Sequence, residues 1–154
     1  MADFNEAVQL TLRNEGGYVN NSADPGGATN MGVEQRDLPN TPIQTLTVAQ
    51  AMAFYQAGYW KPLYNQITSQ IVGNKLFDLG VLFGIGEAVK ILQQVVGAVP
   101  DGNFGPATLA AVNAEGDSLL GAYQAAMIQR AENIVAMRPT ESIFLAGWTR
   151  RINS

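Results

Sequence analysis

Cysteine and histidine are both absent from this sequence. That excludes disulfides, thiol nucleophiles, histidine-based triads and the usual zinc ligand sets. Any proton transfer must run through Asp, Glu, Lys or Tyr. Charge is scarce as well: Asp, Glu, Lys and Arg make up 14% of the chain, the net charge is −4, and no basic run occurs. Nucleic acid is therefore not an expected partner, and an acidic chain gains little long-range attraction to anionic surfaces. No apolar run reaches the roughly 18 residues that a membrane span needs, so no membrane insertion is expected. The opening Met1-Ala2-Asp3-Phe4-Asn5-Glu6 is acidic and already amphipathic, unlike a secretory signal. It implies synthesis in the cytoplasm without a Sec-type signal.

What is present is a chain of 154 residues with a hydrophobic fraction of 47%, enough for one domain with a real core. Phe4, Ala7, Val8, Leu10 and Leu12 fall at helical spacing and predict a helix over residues 3–14, stopped by Gly16-Gly17. Thr47 caps a second helix to about Gly58, and Thr68 or Ser69 a third through Leu76, Phe77 and Val81. Further helices are predicted from about Glu87 to Val96, from Pro106 to Val112, and from about Asp117 to Met137. Thr140 is the expected cap of a last one through Phe144, Trp148 and Ile152. Strand signal is slight. The expectation is a mainly α fold with a structured loop, or a short β-hairpin, after the first helix, and a monomer.

The most informative stretch is Glu15-Gly16-Gly17-Tyr18-Val19-Asn20-Asn21, followed by Asp24-Pro25-Gly26-Gly27-Ala28-Thr29-Asn30-Met31-Gly32. A lone acid ends an amphipathic helix, and a loop rich in glycine, hydroxyl and amide follows with a second carboxylate inside it. Cleaving a glycosidic bond takes one acid to protonate the leaving oxygen and one carboxylate to activate water or attack. Glu15 sits at the boundary of core and solvent, and the glycines behind it admit a bulky polymer. Asp24 can fold back as the second carboxylate, or simply cap the Asp-Pro-Gly-Gly turn. Thr29 and Asn30 can orient a water.

Other residues have two readings each. Asp78 lies among apolar neighbours and needs partners if buried; it can brace a catalytic loop or serve as a structural hydrogen-bonding residue. Tyr59 and Trp60 can form a sugar-stacking platform or belong to the core. Tyr18, with polar neighbours, is the aromatic best suited to a cleft. Arg150-Arg151 reads as a solvated helix end that complements the helix dipole.

The Glu15–Asn21 and Asp24–Gly32 segments resemble the signature of glycoside hydrolase family 108, lysozyme-like N-acetylmuramidases found as phage endolysins and bacterial "secretion-activating" proteins. The similarity continues through Leu46-Thr47, Tyr59-Trp60, Phe77-Asp78 and Leu92-Gln93. It extends to Asp101-Gly102-Asn103-Phe104-Gly105-Pro106 and to Phe144, Gly147-Trp148 and Arg151. The resemblance implies a lysozyme-like fold, with residues 1–85 as a catalytic half and 86–154 as a predicted peptidoglycan-binding half. It implies Glu15 as the catalytic acid, with Asp24 and Thr29 similar in order and spacing to the Asp and Thr of the wider phage-lysozyme group. The implied reaction is hydrolysis of the β-1,4 bond between N-acetylmuramic acid and N-acetylglucosamine in bacterial peptidoglycan, with no cofactor or metal; the wall is then reached by holin-type release or another export route. Two alternatives of other kinds remain at this level: a lytic transglycosylase, and a non-catalytic wall-binding or secretion-accessory protein. Two departures from the family pattern stand out. Leu82 replaces a polar asparagine, and Glu34 stands where a threonine is frequent, adding a third carboxylate that either raises the acid's pKa or points to solvent.

Overall fold

A computed structural model describes residues 1–20 and 27–154. Seven α-helices dominate the described residues: α1 Phe4–Asn14, α2 Val48–Tyr59, α3 Gln70–Phe83, α4 Ile85–Val96, α5 Pro106–Glu115, α6 Leu119–Met137 and α7 Ser142–Asn153. The only sheet among them is a two-stranded antiparallel hairpin, β1 Thr29–Asn30 with β2 Val33–Glu34. This is the mainly α, lysozyme-like fold that the sequence implies. None of the described helices is long and apolar enough to cross a membrane.

The helix starts follow local chemistry. Asp3 caps α1 by accepting the Glu6 N–H at 3.2 Å. Thr47 and Gln50 form a reciprocal capping box on α2, and the Ser69 hydroxyl accepts the Val72 N–H on α3. The last two helices begin later than expected. Single 3-10 turns at Gly116–Ser118 and Pro139–Glu141 precede them, and Thr140 lies in the second turn rather than at a cap. Pro139 favours this by fixing φ at the start of that turn.

α1 packs on α3, α3 on α4, α4 on α6 and α6 on α7. The turn from α3 into α4 is made at one residue, Gly84, whose φ of +92° lies where a side chain is disfavoured. The core beneath α1 is aromatic. Phe4, Trp60 and Phe77 meet edge-to-face with centroids 5.7 Å apart, and Tyr64 joins through Trp60 at 5.5 Å. Each buried ring contributes about 1.5–3 kcal/mol by leaving water, and the edge-to-face geometry adds about 0.5–1.5 kcal/mol per pair. Trp60 is 8% exposed and donates its indole N–H to Asn65 at 2.8 Å. It is therefore core, and the sugar-platform reading does not apply to it.

The C-terminal helix is tied back across the molecule. The ammonium of Lys75, buried in α3, donates to the backbone oxygens of Arg151 at 3.0 Å and Ser154 at 2.9 Å. Burial lowers the Lys75 pKa, and the neighbouring Asp78 charge partly offsets this.

Candidate active site

Glu15 is the residue on which the chain leaves α1. Its N–H still bonds the Thr11 carbonyl at 2.9 Å, but its own φ and ψ, −83° and 140°, are extended. The side chain is 18% exposed, so it stands at the rim of the core. There it meets the guanidinium of Arg151 from α7, Nη1 to Oε1 at 2.6 Å.

The other side of the same guanidinium holds Asp78, which is fully buried in α3. Arg151 Nη2 donates to Asp78 Oδ1 at 3.0 Å and Nε to Oδ2 at 3.2 Å. Asp78 also accepts the Thr11 hydroxyl at 2.9 Å and the Asn14 amide at 3.3 Å. A buried carboxylate with this many donors is satisfied. Burial works against the charge on Arg151, and the two carboxylates more than offset it, so its pKa lies above the ordinary arginine value. Thus Arg150-Arg151 is not simply a solvated helix end. Arg150 is exposed, whereas the Arg151 side chain is 12% exposed and pins the ends of α1 and α7 to the middle of α3.

The hairpin closes over Glu15. Its two-residue turn, Met31-Gly32, has positive φ at both positions, 50° and 77°, as the tight turns that match strand twist require. For Met31 that conformation is strained, and Tyr55 offsets the strain by donating its hydroxyl to the Met31 carbonyl at 2.8 Å. Burial first, and then the Glu15 charge, raise the Tyr55 pKa, so the phenol stays a donor. At Gly32 a Cβ would lie 2.5 Å from Glu15 Oε2 and would also strike the Tyr55 hydroxyl. Glycine is thus needed there twice over, for its φ and to leave room at the acid.

Thr29 lies on β1, facing Glu34 across the hairpin, and exchanges both backbone hydrogen bonds with Val19 at 2.8 Å. That ties the segment after Glu15 to the hairpin. The Asn30 amide donates to the Ile43 carbonyl at 3.0 Å, anchoring the hairpin to the turn before α2. Tyr59 is half-buried beside Tyr55, centroids 5.8 Å apart. Its phenol pKa is raised by burial, then by Asp37, Glu15 and Glu34, so it shares the electrostatic environment of the acid. Tyr18 is 42% exposed. The extra carboxylate Glu34 is paired with Arg36 at 2.5 Å. Asp24 lies outside the described residues.

The sequence points to no role for Tyr55 or Thr11, and it reads Arg151 only as part of a solvated helix end and of the family's ending. The available signal was Asp78: a carboxylate in an apolar run demands a cation, and the chain has only nine Lys and Arg to supply one.

A mainly α fold with one glutamate at the end of its first helix, clamped from below and roofed by a glycine hairpin, defines the lysozyme-like glycosidase class. Residues 8–84 match the family Glycosyl hydrolase 108, and residues 87–153 match a Predicted Peptidoglycan domain. The solved structure of Brucella abortus SagA is similar at 32% identity with a TM-score of 0.79, over 97% of this chain and 89% of that one. A comparison with curated proteins gives no match. The chain belongs to glycoside hydrolase family 108, which makes it a glycoside hydrolase whose partner is peptidoglycan. The two matched segments meet at the α3–α4 corner, and Arg151 comes from the second of them to hold Glu15 in the first.

Proposed function

We propose that the protein is an N-acetylmuramidase, hydrolysing the β-1,4 bond from N-acetylmuramic acid to N-acetylglucosamine with Glu15 as general acid. The observation that carries this is the held geometry of Glu15. Arg151 fixes Oε1, and Oε2 packs against Gly32, where any side chain would displace it. A glycosidic oxygen brought to the Glu15 carboxyl takes its proton as the bond to the muramic C1 breaks. Arg151, already seated against Oε1, stabilises the carboxylate left on Glu15 as the proton departs.

Water then adds to C1, its proton passing to a base on the far wall. Asp24 is the candidate for that base, with Thr29 and Asn30 orienting the water. Tyr18 and Tyr59 are the candidates for contact with the sugar rings. A separation between Glu15 and Asp24 of about 6.5–9.5 Å gives inversion, and about 5–5.5 Å retention.

Mass spectrometry of borohydride-reduced digests of purified peptidoglycan tests the bond and the chemistry together. Reduced muramic ends support the proposal. Reduced glucosamine ends mean the other bond is cut, and anhydro-muramic ends mean a transglycosylase.

A further inference from the structure

Beside Arg151, a cavity of about 450 Å³ opens between the ends of α1, α3 and α7. Arg13, Arg150 and Arg151 all line it, three of the chain's nine basic side chains. Among the described residues, no Asp or Glu side chain is in its wall. Either outer arginine alone would be an ordinary complement to a helix C-terminus. Here two separate helix ends bring theirs to one cavity, and among the described residues neither Arg13 nor Arg150 pairs with a carboxylate. Asp78, the nearest buried acid, is already taken up by Arg151, Thr11 and Asn14. The Ser154 oxygen beside the cavity is held by Lys75.

Asn14 and Ser154 add polar atoms to the wall, and its apolar part is made by Leu82 and Trp148. Trp148 stacks on Phe144 with centroids 5.9 Å apart, meets Phe83 edge-on at 5.5 Å, and lines the cavity with Leu82. An amide at position 82 would add polarity to this wall; leucine keeps its own part apolar beside Trp148. A chain of net charge −4 therefore presents one compact site that is cationic at its mouth and aromatic on its side. That chemistry suits a small anionic group carried on an aliphatic stem: guanidinium forks take a carboxylate and the indole packs on methylenes.

We infer that this cavity binds a carboxylate of the peptide stem of peptidoglycan. The inference rests on the muramidase reading of Glu15. Arg151 lines the cavity and also pairs with Glu15, so the cavity adjoins the acid, where a muramic residue seated for cleavage carries its peptide. The side chain at position 82, where the chain departs from the family, becomes part of peptide recognition rather than of bond cleavage.

The test compares wild type with R13Q/R150Q, both checked for folding by circular dichroism, on two glycans, each prepared with and without its teichoic acid: purified peptidoglycan, and the same material stripped of its peptides by an amidase. Wild type is expected to show a KM about three- to tenfold lower on the peptide-bearing glycan, a range set by two exposed charge pairs. The double variant is expected to lose that preference, and high salt to erode it in wild type. A preference kept in the variant, or absent from wild type, overturns the inference. A preference seen only on walls that retain teichoic acid also overturns it, by assigning the cavity to phosphate. If wild type releases reducing ends from neither glycan, the hydrolase reading fails by itself. Co-sedimentation with the two glycans then still reads the cavity: the same preference in pelleting upholds it, and equal pelleting overturns it.

Discussion

Arg151 and Glu15 lie at opposite ends of the chain and meet through a single 2.6 Å ion pair. The pair works because Arg151 is itself held: Asp78, with no solvent exposure, grips the other edge of the guanidinium. The order is a chain of dependence, from the core carboxylate to the cation to the acid at the rim. Losing the cation affects stability and chemistry together.

Arg151→Met is expected to destabilise the fold by about 3–5 kcal/mol, because Asp78 is left buried and unpaired. Asp78→Asn/Arg151→Met is expected to cost less than the sum of the two single changes, since it removes both charges. Denaturant unfolding of the four proteins closes this cycle. Additive losses would mean that the two residues are not coupled.

Gly32→Ala places a methyl group 2.5 Å from Glu15 Oε2 and forces alanine to a φ of +77°. The backbone cost is about 1–2 kcal/mol. Displacing the acid is expected to lower turnover by about 10²-fold. A variant that is folded below its melting temperature and turns over at the wild-type rate would show that Glu15 does not depend on the space at Gly32.

Adjacent aromatics are expected to separate by role. Trp60→Ala removes a ring packed by Phe4, Phe77 and Tyr64 and is expected to cost about 3–5 kcal/mol in unfolding free energy. Tyr59→Ala, at a half-buried position near Glu15, is expected to cost less stability and to raise KM several-fold. Unfolding curves and steady-state kinetics on the same two proteins decide this.

The loop before α5 predicts a pH effect. The Asp101 carboxylate accepts the Asn103 backbone N–H at 2.8 Å and the Gln93 amide at 2.9 Å. These bonds, the Asn103 N–H first, hold its pKa below the ordinary 3.8. A depressed carboxylate stabilises the fold above its unfolded value and loses that contribution as pH falls through its folded value. The difference in melting temperature between wild type and Asp101→Ala is therefore expected to be present near neutral pH and to shrink as pH falls below the ordinary 3.8. A difference that stays constant into acid would show that the charged form is not what the loop holds.

Much of the fold was legible because its signals are local. Apolar spacing in α1, the Thr47 and Ser69 caps, and the glycine-rich segment behind Glu15 each depend on neighbours in sequence. The two 3-10 turns before α6 and α7 were not anticipated, because Asp117 and Thr140 look like caps in isolation and only the packed geometry places them in the preceding turns. Glu15 could be named as a candidate acid from its position alone. Its clamp could not, since Arg151 in sequence is one of two arginines near a helix end. Only its side-chain contacts with Glu15 and Asp78 distinguish it from exposed Arg150. Trp60 and Tyr59 show the same limit: adjacent aromatics on a turn separate into core and rim only when Phe77 is in place beneath them.

The most direct test of the account is reducing-end release from purified peptidoglycan by wild type and Glu15→Gln, both shown to be folded by circular dichroism. The account predicts release by wild type and a loss of about 10²–10⁴-fold or more in the variant, the range expected for a general acid. A folded Glu15→Gln protein that releases reducing ends at the wild-type rate would contradict it.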